Sequence, residues 1–348
     1  MKIGLRTALS QRNGYGKDGI GLARALMARG HDVRIAPTDV DVPIPREVAN
    51  LLAKPYDVPM DLSIWHIGPE RTEIFKPHDV TIARRNIHWT MTGWRAVEHL
   101  NWAESWSKAM ESFDDVVVYD PASFDAVESL VPAEKLHRVM GGYEADMWKP
   151  RPRPRTEMPY RFGMLGVLGA RKGPMAALIA WMLLKQEHGD DFNAELHLWS
   201  NVPIITVGTR LPEGVYPNHG YWLPEQVQQY YYGLDTLLCP SLAEGKTLPA
   251  VEAIASATNV ILSDIPAHRA WCDSSMATFV PATQLAEPVE GYVGDQVSPA
   301  DLAAAMWDAY QNRSKYAERA LQASRQIPAM MDWSKCVERL SLTLKLGL

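Results

Sequence analysis

Residues 239–264 read CPSLAEGKTLPAVEAIASATNVILSD and place two carboxylates, Glu244 and Glu252, eight positions apart. Gly245 permits a tight turn between them. Pro249 suits the first turn of a helix, where its missing N–H is not needed, and the run Ala250–Ala257 propagates that helix. A helix start offers unpaired N–H groups and the positive end of a dipole, a setting for phosphate. Glu244 precedes this anion site, and Glu252 lies about one turn inside it. Acidic side chains beside a diphosphate would repel it directly. They make sense as acceptors for hydroxyls on either side, a ribose on one and a sugar on the other. The chemistry expected here is that of a nucleotide-sugar donor.

The elements that must position these residues follow from the pattern along the chain. The first third alternates strand and helix: strands are expected over Lys2–Leu9, Asp32–Ala36, Leu62–His66, Val80–Ala83, Asp115–Tyr119 and Leu136–Met140. Helices fall between them, at Gly19–Arg29, Trp102–Phe113 and Ser123–Leu130. Strands separated by helices imply βαβ units and a parallel sheet. Lys149–Arg155, KPRPRPR, then favours extended backbone without internal hydrogen bonds. It is read as a solvated linker, with a hinge whose arginines face an anion as the competing reading.

A second series begins at Tyr160. Strands are expected at Phe162–Val167, Glu195–Trp199, within 215–220, at Thr236–Cys239 and at Asn259–Leu262. Helices are expected at Gly173–Glu187, Pro224–Tyr232, Leu302–Gln311 and Trp333–Leu346. Two such α/β halves point to two Rossmann-like domains facing a cleft, with ligands at the carboxyl ends of the strands.

Composition narrows the function classes. A chain of 348 residues has room for about two domains. With 47% hydrophobic and 22% charged residues it is in the soluble globular range. A net charge of −6 gives no general attraction to nucleic acid or an anionic membrane. Three scattered cysteines, Cys239, Cys272 and Cys336, make neither a disulfide framework nor a zinc site. They are expected to be reduced, hence a cytoplasmic location. No apolar run approaches about 18 residues, so no membrane span is expected.

Gly14-Tyr15-Gly16-Lys17-Asp18-Gly19 matches G-x-G-x-x-G, with Asp39 twenty residues further on. Taken literally this is an NAD fingerprint. That fingerprint places its first glycine at the strand end, whereas Ser10–Asn13 intervene here. A long glycine loop in which Gly14 and Gly16 touch the donor or acceptor is the preferred reading, with a plain structural turn as the alternative.

Several segments together resemble glycosyltransferase family 4, retaining enzymes of the GT-B fold. The glycine turn followed by GIGLARALMARGHDV is similar to that family's opening. VMGGYEADMWKP (139–150) resembles its interdomain crossing, FGMLGVLGARKG (162–173) its strand-loop-helix ending in Lys-Gly, and DWSKCVERL (332–340) its returning C-terminal helix. The 239–264 segment resembles its E-x7-E signature, the most specific of these.

The resemblance implies an N-terminal acceptor-side domain over 1–150 and a C-terminal nucleotide-sugar domain over 151–327. A helix over 328–348 would cross back onto the first. It implies that Glu244 holds donor-sugar hydroxyls near the reacting carbon and that Glu252 binds the ribose. Gly245 and the backbone amides of Lys246, Thr247 and Leu248 would hold the diphosphate. Lys172, with Arg171 beside it, would stabilise charge on the departing nucleotide. Thr247 would cap the helix or bind phosphate through its hydroxyl. His66, Arg84, His88 and Trp94 are the acceptor-side candidates; structural roles compete for each. A UDP- or GDP-hexose donor, retention of configuration, and no metal or other cofactor are expected.

Two departures from the family pattern stand out. Val167 occupies the position where the family carries arginine, and Glu244-Gly245-Lys246-Thr247 replaces Glu-Gly-Phe-Gly. They keep open a catalytically silent nucleotide-sugar-binding protein, with an epimerase of the same fold as a further alternative. The acceptor is left open among protein, lipid, glycoside and modified base.

Overall fold

The computed structural model describes residues 1–41, 43–68, 83–90, 103–151, 156–201, 211–285 and 294–348. They form two compact units, Met1–Glu144 with Ala329–Leu348, and Ala145–Pro328. Each unit is an α/β body built on a parallel six-stranded sheet.

The first unit carries β1 (Lys2–Ser10), α1 (Gly14–Ala28), β2 (Asp32–Asp41), α2 (Arg46–Ala49), β3 (Leu62–His66), β4 (Asn86–Thr90), α3 (Ala103–Met110), β5 (Asp115–Val118), α4 (Pro121–Val127) and β6 (Leu136–Arg138). Its sheet order is β2-β1-β3-β4-β5-β6. Strands β3, β4 and β5 are buried at every residue, as expected where helices cover both faces of a parallel sheet. The strand expected at Val80–Ala83 lies largely outside the described residues, and Asn86–Thr90, to which the sequence pattern assigns no element, forms β4. Its polar side chains find buried partners: Thr90 donates to the Ile67 carbonyl at 2.7 Å, and Trp106 Nε1 donates to His88 Nε2 at 3.3 Å.

The glycine loop is shorter than the sequence suggests. Helix α1 already begins at Gly14, and Asn13, in extended backbone, caps it by accepting from the Gly16 amide at 2.7 Å. A Cβ on Gly16 would sit 2.4 Å from the Ser10 backbone, and one on Gly19 2.3 Å from the Ala8 carbonyl. These glycines therefore let α1 lie against β1. The Gly16 amide is used in capping, and the NAD-fingerprint geometry is not formed.

Trp333 opens α11 (Trp333–Leu344), which packs within this same unit. Its indole fills the space that side chains on Gly21 and Gly142 would occupy and meets Trp89 edge-on at 5.7 Å. Trp65, Trp89 and Trp106 are among the largest fully buried side chains. Trp94, an acceptor-side candidate, lies outside the described residues.

The second unit carries β7 (Tyr160–Gly166), α5 (Pro174–His188), β8 (Ala194–Ser200), β9 (Val215–His219), α6 (Pro224–Gly233), β10 (Thr236–Cys239), α7 (Leu248–Ala255), β11 (Asn259–Ser263), α8 (Pro266–Arg269), β12 (Thr278–Val280), the antiparallel pair β13 (Ala282–Gln284) and β14 (Asp295–Val297), α9 (Pro299–Gln311) and most of α10 (Arg313–Met331). The sheet order β12-β11-β10-β7-β8-β9 means that the chain builds outward from β7 in one direction, then restarts beside it with β10 and builds the other way. Part of the presumed linker belongs to this body. Arg151 is buried and donates to the carbonyls of Tyr232 and Leu234 and to the Thr258 hydroxyl; residues 152–155 lie outside the described residues.

Candidate functional site

The reversal of strand order between β7 and β10 opens a crevice at their carboxyl ends, the place where open α/β sheets bind ligands. The two segments that leave those ends are the turn Ala170–Lys172 and the loop 240–247. They are tied to each other by backbone and side chain. The Leu242 amide donates to the Arg171 carbonyl at 2.8 Å, and the Arg171 guanidinium donates to the Ala243 carbonyl at 2.7 Å. Gly173, at φ 68°, separates the turn from α5, and a Cβ there would meet the Pro240 carbonyl at 2.1 Å. Glycine is required on both counts. Arg171 and Lys172 thus belong to a separate 3-10 turn rather than to the first turn of α5.

That turn aims both cations at Glu244. Lys172 Nζ lies 2.5 Å from Oε1 and Arg171 Nη1 3.1 Å from Oε2. The Glu244 side chain is only 5% exposed. Burial alone would push its carboxyl pKa up. The charges of Lys172 and Arg171, with hydrogen bonds from Lys172 and Ser241, outweigh that and hold it far below the usual carboxylate range. The site is therefore a fixed carboxylate gripped by two cations. Lys246, two residues on, is buried as well. Lys172, Ser241, Thr247 and Pro249 line one small cavity together with Leu168 and Cys239. The Cys239 thiol is pushed up to about 12 by burial, which leaves it protonated and inert at neutral pH.

Helix α7 begins at Leu248, with Pro249 in its first turn. Thr247 precedes it at φ 59°, ψ 60°. A β-branched residue in this left-handed region is a true outlier, with a local strain of about 1–3 kcal/mol. Its side chain makes no capping bond to α7, contrary to one of the roles expected for it. The hydroxyl instead lies 2.8 Å from His268 Nε2. His268 Nδ1 faces the Ser263 carbonyl at 2.7 Å, which can only accept, so Nδ1 carries the proton. Burial lowers the imidazole pKa and keeps it neutral. Nε2 is then an acceptor and Thr247 donates to it. In this arrangement the hydroxyl proton is engaged by His268.

Glu252 sits in the interior of α7 and is 1% exposed. Its carboxylate accepts from the Tyr231 hydroxyl at 2.9 Å. Burial first, then the Glu252 charge, pushes the Tyr231 phenol pKa well up, so it stays a donor. The sequence gives Tyr231 only a packing role; its partnership with Glu252, and those of Ser241 and His268 with the Glu244 loop, depend on contacts between distant segments.

Within the first unit the strand order turns back between β1 and β3. His66, at the end of β3, is fully buried, with Nε2 2.6 Å from the Tyr119 hydroxyl, which donates to Asp18 at 2.9 Å. His88 is buried too, and burial, with His66 nearby, lowers its pKa to about 3. It packs against Trp106 and Phe113 in the interior. Arg84 is exposed and Gly14 stands at the exposed start of α1. Among the described residues, no group of three or more His, Cys, Asp or Glu is placed to hold a metal ion. Nor is any described helix long and apolar enough to cross a membrane.

No protein-family model and no curated protein matches the chain by sequence. Solved structures match it over nearly its whole length. Sucrose-phosphate synthase from Thermosynechococcus elongatus aligns at 15% identity and a TM-score of 0.70, covering 99% of this chain and 98% of that one. HepE from Anabaena, solved with UDP and glucose, aligns at 14% identity and a TM-score of 0.68, covering 99% of each chain. WaaG, described as a glycosyltransferase of lipopolysaccharide biosynthesis, aligns at 13% identity and a TM-score of 0.65, covering 98% of this chain and 99% of that one. The chain shares the fold of these proteins, the GT-B architecture that the motifs imply.

Proposed function

We propose that this protein is a glycosyltransferase that takes a sugar from a nucleoside-diphosphate donor bound at the switch point of its second unit. The observation that carries the reading is the pairing of Lys172 and Arg171 on buried Glu244, beside the start of α7. A lone carboxylate needs no second cation for neutrality. A diphosphate arriving there would compete with Glu244 for Lys172, rest on the amides that open α7, and meet the positive end of the helix dipole. Glu244, still held by Arg171, would then accept hydrogen bonds from sugar hydroxyls. Glu252 would receive the ribose hydroxyls beside Tyr231.

In the transfer step the bond between the anomeric carbon and the diphosphate oxygen breaks, and negative charge grows on the departing nucleotide. Lys172, Arg171 and the helix start are preorganised to stabilise that charge. They do so without a metal; the acceptor atom bonds to the anomeric carbon on the face the diphosphate leaves, its proton passes to the departing diphosphate, and configuration is retained. Support comes from the shared fold, and from HepE, whose structures contain UDP, glucose and UDP-glucose. UDP-glucose is accordingly the first donor to test, and the acceptor class remains open among those named above.

The test is turnover of UDP-glucose, with release of UDP as the readout. Wild type is expected to release UDP by slow hydrolysis even without an acceptor, and Glu244→Gln to lose that activity while still binding UDP. Binding without release, in wild type as in the variant, would favour the silent sugar-nucleotide-binding alternative.

A further inference from the structure

His268 belongs to none of the roles above, yet it is fully buried beside the proposed donor site. Its ring joins two ends of one loop. On one side Thr247 donates to Nε2. On the other, Nδ1–H donates to the Ser263 carbonyl, and the Ser263 hydroxyl donates to the Ser241 carbonyl at 2.6 Å. Ser241 and Thr247 bracket Glu244, so the chain Thr247–His268–Ser263–Ser241 closes a buried ring of hydrogen bonds around the loop that carries it. Ser241, Ser263 and His268 are each at most 1% exposed, and Thr247 is 4% exposed. Water therefore cannot easily replace a missing member.

The conformation of Thr247 gives this ring its purpose. Residue 247 must be left-handed for the chain to turn from the loop into α7, and threonine resists that geometry. Nothing in the covalent structure of threonine favours it. The bond to His268 is the local interaction that does.

We infer that His268 is a positioning residue for the donor diphosphate, holding Thr247 in the left-handed conformation that presents the amides at the start of α7. The inference rests on the donor-site reading given above. It predicts that the residue at 247 decides how much His268 matters. A glycine adopts this backbone without strain and needs no anchor.

The experiment is calorimetric titration of UDP into wild type, His268→Ala, Thr247→Val, Thr247→Gly and the His268→Ala/Thr247→Gly double variant. His268→Ala and Thr247→Val are expected to weaken UDP binding at least tenfold, because each leaves a strained residue 247 without its anchor. Thr247→Gly, and the double variant with it, are expected to stay within about threefold of wild type. Rescue by glycine separates positioning from a general structural role, which Thr247→Gly would not repair. Wild-type affinity in His268→Ala overturns the inference, as does a double variant no better than His268→Ala alone. If His268→Ala does not fold, Thr247→Val against Thr247→Gly makes the same comparison with His268 in place. Failure of the donor-site reading looks different: folded wild type would bind no UDP, and the inference would fall with it.

Discussion

Removing Lys172 isolates the electrostatics on which the site is built. In Lys172→Met the side chain keeps most of its volume and loses its ammonium, leaving Glu244 buried with Arg171 at 3.1 Å as the remaining cation. Breaking a buried pair typically destabilises by about 3–5 kcal/mol. Arg171 compensates in part, so a loss of roughly 2–3 kcal/mol at pH 7 is expected, or about 4–12 °C in the melting of a unit this size. The pH dependence makes the prediction specific. Glu244 is held below its ordinary range in the fold, so its stabilisation is complete above the unfolded carboxyl pKa, near 4.5, and disappears as pH falls through the folded value. Wild type should therefore lose stability steadily below about pH 4.5, and the variant less steeply. The gap between them should narrow with acid. Adding Glu244→Gln should restore much of the loss, because no charge is then left buried without its partner. Scanning calorimetry across pH 3–8 reads all of this. A Lys172→Met protein as stable as wild type, or a deficit unchanged down to pH 3, would refute the reasoning.

Two further outcomes follow from the same structure. Gly173→Ala should destabilise the second unit by more than about 2 kcal/mol and weaken UDP binding, since its Cβ meets the Pro240 carbonyl at 2.1 Å at φ 68°; urea denaturation and titration would show both. His88, whose pKa is lowered to about 3, is held neutral in the fold, so its contribution is complete above pH 6.5 and fades at about 1.4 kcal/mol per pH unit below it. Urea midpoints at pH 7 and pH 5 should differ less in His88→Phe than in wild type, and an equal difference would count against it.

The parts legible in the sequence are those written in local pattern. Short apolar runs between helix signals mark most strands of both sheets, and Thr236–Cys239 is placed to the residue. The Glu244–Glu252 spacing, Gly245 and Pro249 mark the loop-to-helix turn, and Arg171-Lys172 the cations that meet it. What escaped depends on tertiary contact. Helix α1 starts five residues before the expected Gly19 because close packing on β1 and the Asn13 cap outweigh the poor helix propensity of Gly14 and Gly16. Strand β4 reads as polar, and its burial depends on other segments, which supply partners to His88 and Thr90. Arg151 looks like a solvated linker residue until the carbonyls that surround it are assembled. Helix α10 carries no strong start signal and contains Pro328. Nothing in the local sequence ties His268 to Thr247, which lies 21 residues away.

The central claim is that a sugar nucleotide binds through its diphosphate between Lys172 and the start of α7. Calorimetric titration of UDP-glucose into wild type and Lys172→Ala measures it directly. Saturable one-to-one binding by wild type, weakened at least tenfold in the folded variant, is the predicted result. Equal affinity in the two proteins, or no binding by a folded wild type to UDP-glucose or GDP-hexoses, would contradict it.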